Sequence, residues 1–171
     1  ATGANFPDAL AGVPASGVKG GPVLLVTASA IPATTQVELS RLRPGRIVIL
    51  GASGVISDGV AATLAGFTSG DVSRLAGTDR YATAAAISKA TFATADTVFI
   101  ATGLNFADAL GGGPVAGIGS APLLLVSATG VPTSIASELL RLNPSHVTVL
   151  GGTGVVSESV QSQIESLLGG G

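Results

Sequence analysis

The apolar positions fall into short runs that switch between two periods. Thr97–Thr102 is apolar and β-branched and ends at Gly103, and Leu123–Ser127 is a second unbroken apolar run. Unbroken runs of this length mark strands buried on both faces. His146–Leu150 and Val72–Ala76 read as two further strands. Between them the spacing becomes helical. Pro132–Leu142 carries Ile135, Leu139 and Leu142 on one face, with Pro132 suited to the first turn and Pro144 as a stop. Asn105–Gly117, Asp79–Phe92 and Ser157–Leu168 also read as helices, with Thr78 and Ser157 as the N-caps of the last two. Strands alternating with helices predict an α/β fold with a parallel sheet and right-handed crossovers.

The pattern occurs twice. Shifted by one hundred residues, the chain aligns with itself without a gap: ATGANFPDAL at 1–10 falls on ATGLNFADAL at 101–110, and ILGASGVIS at 49–57 on VLGGTGVVS at 149–157. Over 1–67 against 101–167, 28 of 67 positions are identical. The expected architecture is two tandem three-layer units, each a parallel sheet flanked by helices. The first spans 1–70 and is incomplete at its amino end; the second spans 71–171. Residues 68–100 occur only once. The first copy begins partway through the matching segment, so the natural protein is expected to extend upstream of Ala1, with room for further copies.

Composition narrows the chemistry. Hydrophobic residues make up 46% of the 171 but aromatics only 4%, so the core is built of Val, Ile, Leu and Ala against glycine-rich backbone. Charged residues are 11%, far below the usual quarter or so. Such a thinly charged surface suits packing among neighbours or along a polymer. The net charge of −2 and the lack of a basic run argue against nucleic acid. With no cysteine there is no disulfide frame or thiol chemistry. No apolar run approaches a membrane span.

Ligands of open parallel sheets bind beyond the carboxyl ends of the strands. The loops there carry Asp79, Arg80, Thr102, Asn105 and Asp108 in the second copy, and Thr2, Asn5 and Asp8 in the first. These eight are the candidate ligand-binding residues. Each has a plainer reading. Asn105 and Asp108 are spaced like an N-cap and its N3 partner, Asp79 suits a first helical turn, and Arg80 can pair with Asp79 or Asp108 or face a ligand. Arg41 and Arg141 end helices at the opposite edge, where structural roles are expected. His146 has Arg46 as its counterpart and is expected to face solvent, away from the loops, so no Ser-His-Asp set forms around it. No catalytic residue, metal site or cofactor is expected. GASG, GGTG and GGGPVAG do not form a dinucleotide fingerprint.

RLAGTDRYATAAAIS, VFIATGLNFADALGGGPVAG, APLLLVSATGVPTSIASELLRL and HVTVLGGTGVVSESV together closely resemble the cell wall-binding repeat type 2 family of Gram-positive bacteria. The resemblance covers the second copy almost end to end and the first from Ala1 to about Phe67. It implies a Rossmann- or Toprim-like unit in a secreted, surface-located protein. In the family three copies usually pack about a pseudo-threefold axis beside a separate functional domain; this chain holds fewer than two. The resemblance further implies noncovalent attachment through an anionic wall polysaccharide or teichoic-acid-like polymer. A short strand motif associated with binding matches Val23–Leu25 and Leu123–Leu125, which as buried strands would position their loops and not touch sugar. The function expected is noncatalytic anchoring to the wall. The alternative is a structural, surface-layer module that binds other copies of itself.

Overall fold

The computed structural model describes residues 1–169. In the first copy, Ala1–Thr2 lies beside Val26 through a single parallel bridge. Helices α1 (Pro7–Lys19) and α2 (Ala33–Leu42) precede strand β1 (Ile47–Leu50). Helix α3 (Asp58–Leu64) then runs through a 3-10 turn at Ala65–Phe67 to β2 (Val72–Leu75). The second copy follows as α4 (Arg80–Thr91), β3 (Thr97–Thr102), α5 (Ala107–Ile118), β4 (Leu123–Val126), α6 (Thr133–Leu142), β5 (His146–Val149) and α7 (Glu158–Leu168). The strands pair in parallel, in one sheet of order β4-β3-β5 and another of β1-β2. This is the α/β architecture that the alternating periods predict.

Local chemistry ends the helices where the sequence stops them. Arg43 and Asn143 adopt left-handed backbone at φ 47° and 45°, and their N–H groups donate to Leu39 O and Leu139 O. A proline follows each, which forbids another turn. Two cap assignments change. Asp79, not Thr78, is the N-cap of α4: its carboxylate accepts from Ala82 N at 2.8 Å. Ser157 does sit at the N-cap of α7, but its Oγ caps nothing and is buried without a partner, whereas Ser57 Oγ accepts from Val60 N at 3.3 Å.

The strand at 72–75, read from the sequence as the fourth of the second copy, pairs instead with β1 of the first, Ile47 opposite Val72 through Leu50 opposite Leu75. Helix α4, only a few residues later, packs on β4 and α6 of the second copy. The segment that occurs once in the sequence thus joins both units. Helix α1 does the same from the other side: Leu10 and Ala11 belong to the core cluster of Val98, Ile100, Leu124 and Ile135. A smaller cluster of Val26, Ile31, Leu39, Ile49, Ile56, Val60 and Leu64 fills the first unit.

Glycine explains the closest contact between copies. A Cβ on Gly17 would lie 3.3 Å from Gly117 Cα, and one on Gly117 would lie 3.4 Å from Pro14 Cα. Helices α1 and α5 therefore meet backbone to backbone. GGGPVAG is a helix-packing stripe, with Gly113 against Val13.

One repeated ion pair occupies two environments. Glu138 is 4% exposed; it accepts from Ser88 Oγ at 2.6 Å and from Arg141 at 2.7 Å. Arg141 also donates to Phe92 O and Ala93 O at 2.7 and 2.8 Å, tying the end of α4 to α6. Its first-copy counterpart, Glu38–Arg41 at 2.6 Å, is exposed and bonds to nothing else. Removing one partner of a buried pair strands the other charge. Arg141→Ala is expected to destabilise the fold by about 3 kcal/mol. Arg41→Ala should leave the unfolding midpoint close to the parent's. Parallel denaturant titrations of the two variants check the contrast.

Candidate functional site

The residues singled out from the sequence gather at the carboxyl ends of the strands, but not in equivalent states. Thr2 and Thr102 are buried, at 3% and 2% exposure, and each Oγ1 accepts from the backbone two residues on, Ala4 N or Leu104 N, at 3.2 Å. They shape the loops from beneath. Asn5 and Asn105 are exposed on those loops.

The capping box expected of Asn105 and Asp108 is not formed. Helix α5 starts at Ala107, Phe106 takes the N-cap place, and no side chain caps it. Asn105 lies one residue further out, where its Oδ1 makes only a long contact of 3.4 Å with Ala107 N. Its amide is thus largely free for other partners. Asp108 and Asp8 are each the second residue of their helix, where a carboxylate suits the helix dipole.

Both aspartates face a glycine loop. A Cβ on Gly51 would lie 2.7 Å from Asp8 Oδ2, and one on Gly151 would lie 2.6 Å from Asp108 Oδ2. These glycines also have φ of 113° and 101°, so two constraints require glycine there. The loop that would cradle a phosphate in a nucleotide-binding fold here abuts a carboxylate, which repels phosphate.

Arg80 pairs with neither Asp79 nor Asp108. Its Nη1 donates to Gly103 O, and its positive charge acts on Asp8 of the first copy. Arg80 therefore stands at the seam between the copies. Sequence reasoning missed a second guanidinium. Arg74, on β2, donates to Gly51 O at 2.8 Å and to Asp58 Oδ1 at 3.1 Å. Its position in the once-only RLAGTDRY stretch was the available signal, but only the strand pairing places it against the first copy's loop.

Burial pushes the Asp8 carboxyl above its ordinary range, against the opposing pull of Arg80. At the other edge of the sheet, His146 is exposed and lies 3.6 Å from Asp96. It starts β5, at the end of the strand away from the strand-end loops. Among the described residues no group of three or more His, Cys, Asp or Glu is placed to hold a metal ion. No described helix is long and apolar enough to cross a membrane. The site offers exposed amides, a guanidinium and carboxylates. These are groups that can hydrogen-bond hydroxyl-rich or anionic ligands.

The candidate residues thus form a polar rim at the strand ends of a parallel α/β fold. The chain belongs to the cell wall binding domain 2 (CWB2) family, whose model matches residues 1–61 and 74–161. It is similar to the N-acetylmuramoyl-L-alanine amidase LytC of Bacillus subtilis, at 36% identity over 96 residues, which are 56% of this chain and 19% of that protein. It is also similar to the amidase enhancer of the same organism, at 31% identity over 160 residues, or 94% of this chain and 21% of that protein. Among solved structures, Cwp6 from Clostridium difficile matches with a TM-score of 0.89 at 26% identity, over 97% of this chain and 26% of that one. Cwp8 matches in fold with a TM-score of 0.80 at 24% identity, over 96% of this chain and 28% of that one. The chain thus spans about a fifth of the two Bacillus relatives and about a quarter of the Clostridium chains. Its family, and the wall-associated relatives it resembles, mark a cell wall or surface role.

The raised Asp8 pKa has a definite sign. The folded state disfavours the charged carboxylate, so this group's contribution to stability is complete below its unfolded value. That contribution is lost as pH rises through the higher folded value. Asp8→Asn removes the penalty. The variant should therefore gain on the parent as pH rises above the ordinary carboxylate range, and the gap should close in acid. Unfolding midpoints of both proteins across that range measure it.

Proposed function

We propose that this chain is a noncatalytic anchor that holds a secreted protein on the bacterial cell wall by binding an anionic secondary wall polymer at its strand-end loops. The observation that carries the reading is the repetition of the rim. Asn5 and Asn105 are exposed at equivalent places, over equivalent buried threonines, with Arg80 at the seam between them. Asn5, Asn105 and Arg80 make the polymer contacts. Thr2 and Thr102 hold the loops, and Asp8, Asp79 and Asp108 organise the helix starts beside them. The relatives named an amidase and an amidase enhancer support the reading, because what they share with this chain is about a fifth of their length. A shared attachment module explains that pattern, with catalysis left to the remainder of such proteins.

Cosedimentation with purified walls, native and stripped of secondary polymer, tests the reading. Binding should be lost on stripping; unchanged binding overturns it. Arg80→Gln should weaken binding about tenfold, the loss of one charge-assisted hydrogen bond, with the thermal midpoint as the check on folding. Added salt should weaken the parent more than the variant.

A second reading, self-assembly of the module at the surface, has its own support. Leu104 and Phe106 before α5, and Leu110, Val115 and Ile118 on it, are between 53% and 88% exposed, apolar surface of the kind that marks contact sites. Concentration-dependent association in sedimentation experiments that Ile118→Lys abolishes would favour it over polymer binding.

A further inference from the structure

The 8 basic residues divide into two sets. Arg41, Arg74 and Arg141 are in ion pairs with Glu38, Asp58 and Glu138, and Arg80 is turned onto Gly103 O and toward Asp8. The others, Lys19, Arg43, Arg46 and Lys89, are exposed and pair with no carboxylate among the described residues. Topology puts all of them at one edge. Strands of a parallel sheet start at the same edge, and the crossover helices run back to end there. Lys19 and Lys89 lie in the last turns of α1 and α4, which pack on each other. Arg43 is the C-cap of α2. Arg46 immediately precedes β1, where its Nη2 donates to Ser73 Oγ of β2 at 3.1 Å. This edge is opposite the rim of Asn5 and Asn105.

Helix ends alone do not account for these cations. A basic side chain suits the negative end of a helix, but the second copy ends the matching helices without one: Gly119 stands for Lys19 and Asn143 for Arg43. Arg46, whose counterpart is His146, precedes a strand, where no helix dipole calls for it. The backbone at Arg43 argues the same way. Its φ of 47° is left-handed, a conformation that asparagine tolerates and long side chains rarely take. Asn143 fills that place in the second copy at 45°. The first copy thus keeps a guanidinium there against the preference of its backbone. Nor do carboxylates neutralise the set. Glu38 is held by Arg41, and Asp71, just before β2, forms no ion pair with Arg46 among the described residues. At the rim the balance is reversed, with Asp8, Asp58, Asp79 and Asp108 beside Arg74 and Arg80.

We propose that the strand-entry edge of the first copy is a polyanion-binding face, on which Lys19, Arg43 and Arg46, with Lys89 beside them from α4, neutralise successive phosphates of a flexible linear polymer. The inference takes its ligand class from the anchoring reading, but it assigns charge recognition to the edge opposite the rim. Solvated, unpaired cations on separate loops suit such a ligand. Phosphates on a flexible chain adjust to their spacing, and affinity comes from counterion release and not from a shaped pocket. The second copy, with glycine, asparagine and histidine at the matching places, lacks this face.

The test compares the full chain with a neutral variant carrying Lys19→Gln, Arg43→Asn and Arg46→Gln, using a short inorganic polyphosphate as the probe. The variant should bind about tenfold more weakly or worse at low salt, and its log–log salt slope should flatten by about 2, for three contacts at about 0.7 each. A charge-retaining variant, Lys19→Arg with Arg43→Lys and Arg46→Lys, should bind as the parent does, and so should Arg80→Gln. Thermal midpoints check folding, and Arg43→Asn alone should not lower the midpoint. On native walls the neutral variant should lose affinity as it does for polyphosphate. A parent that does not bind polyphosphate, or a neutral variant that binds it like the parent, overturns the proposal. So does an Arg80→Gln variant that loses as much as the neutral one. Parental wall binding that survives polymer stripping, together with polyphosphate binding lost only in the neutral variant, would sink the anchoring reading and uphold the basic face.

Discussion

A parallel strand needs a partner on each edge and cover on each face, and no short segment can supply these for itself. That requirement organises this protein. The second sheet meets it with β3 at the centre, Val98, Ile100 and Ala101 fully buried, and helices around it. It does so with borrowed parts: α1 of the first copy contributes Leu10 and Ala11 to the same core. The first sheet borrows in return, taking β2 from the stretch that leads into the second copy. The contact of α1 on α5 at Gly17 and Gly117 follows from this exchange, because only bare backbone lets the two helices come close enough for both cores to close. Tandem copies here are mutual scaffolds, not beads on a string.

The same exchange places the polar groups. Arg74 and Arg80 come from one continuous stretch, yet Arg74 reaches the Gly51 loop of the first copy while Arg80 bonds Gly103 of the second. Each strand-end loop thus gains a guanidinium from an element outside its own β-α-β core. In a chain with only 8 basic residues, this placement brings two guanidiniums to the junction, Arg74 paired with Asp58 and Arg80 acting on Asp8. The carboxylates of Asp8 and Asp108 sit back against their glycines and leave the outer rim to the asparagine amides.

Much of the fold was legible in the sequence because burial on both faces leaves unbroken apolar runs. The strands at 97–102, 123–126 and 146–149 lie within a residue of their predicted ends, and the helix stop at Pro144 is plain. Sheet membership was not legible. Val72–Leu75 carries no mark of which β-strand it will pair with, and sequence proximity pointed to the wrong sheet. The site was half legible. Period and strand ends located the loops, but the role of each side chain turned on sub-ångström matters. Thr102 is hidden while Asn105 is free, and Arg80 chooses a carbonyl over either candidate aspartate. The signal that Gly51 and Gly151 must accommodate a carboxylate was present only as a repeated pairing of Asp8 with Gly51 and Asp108 with Gly151, which spacing alone does not reveal.

Repetition also bears on how so weakly charged a surface could hold a polyanion under the proposed function. One guanidinium and an exposed amide give modest affinity, since each hydrogen bond to a solvated ligand nets little over its water competitor. A polymer, however, presents the same chemical group at regular intervals. Once one rim is engaged, the next group is already nearby, and the second rim binds at an effective concentration set by the short, rigid distance between copies. Rigid coupling is what the shared cores provide: α1 and α5 cannot slide without opening both. Stiff spacing between weak, equivalent rims favours a periodic ligand over a monomeric one. It achieves this without the dense positive charge that would also attract nucleic acid or membrane surfaces.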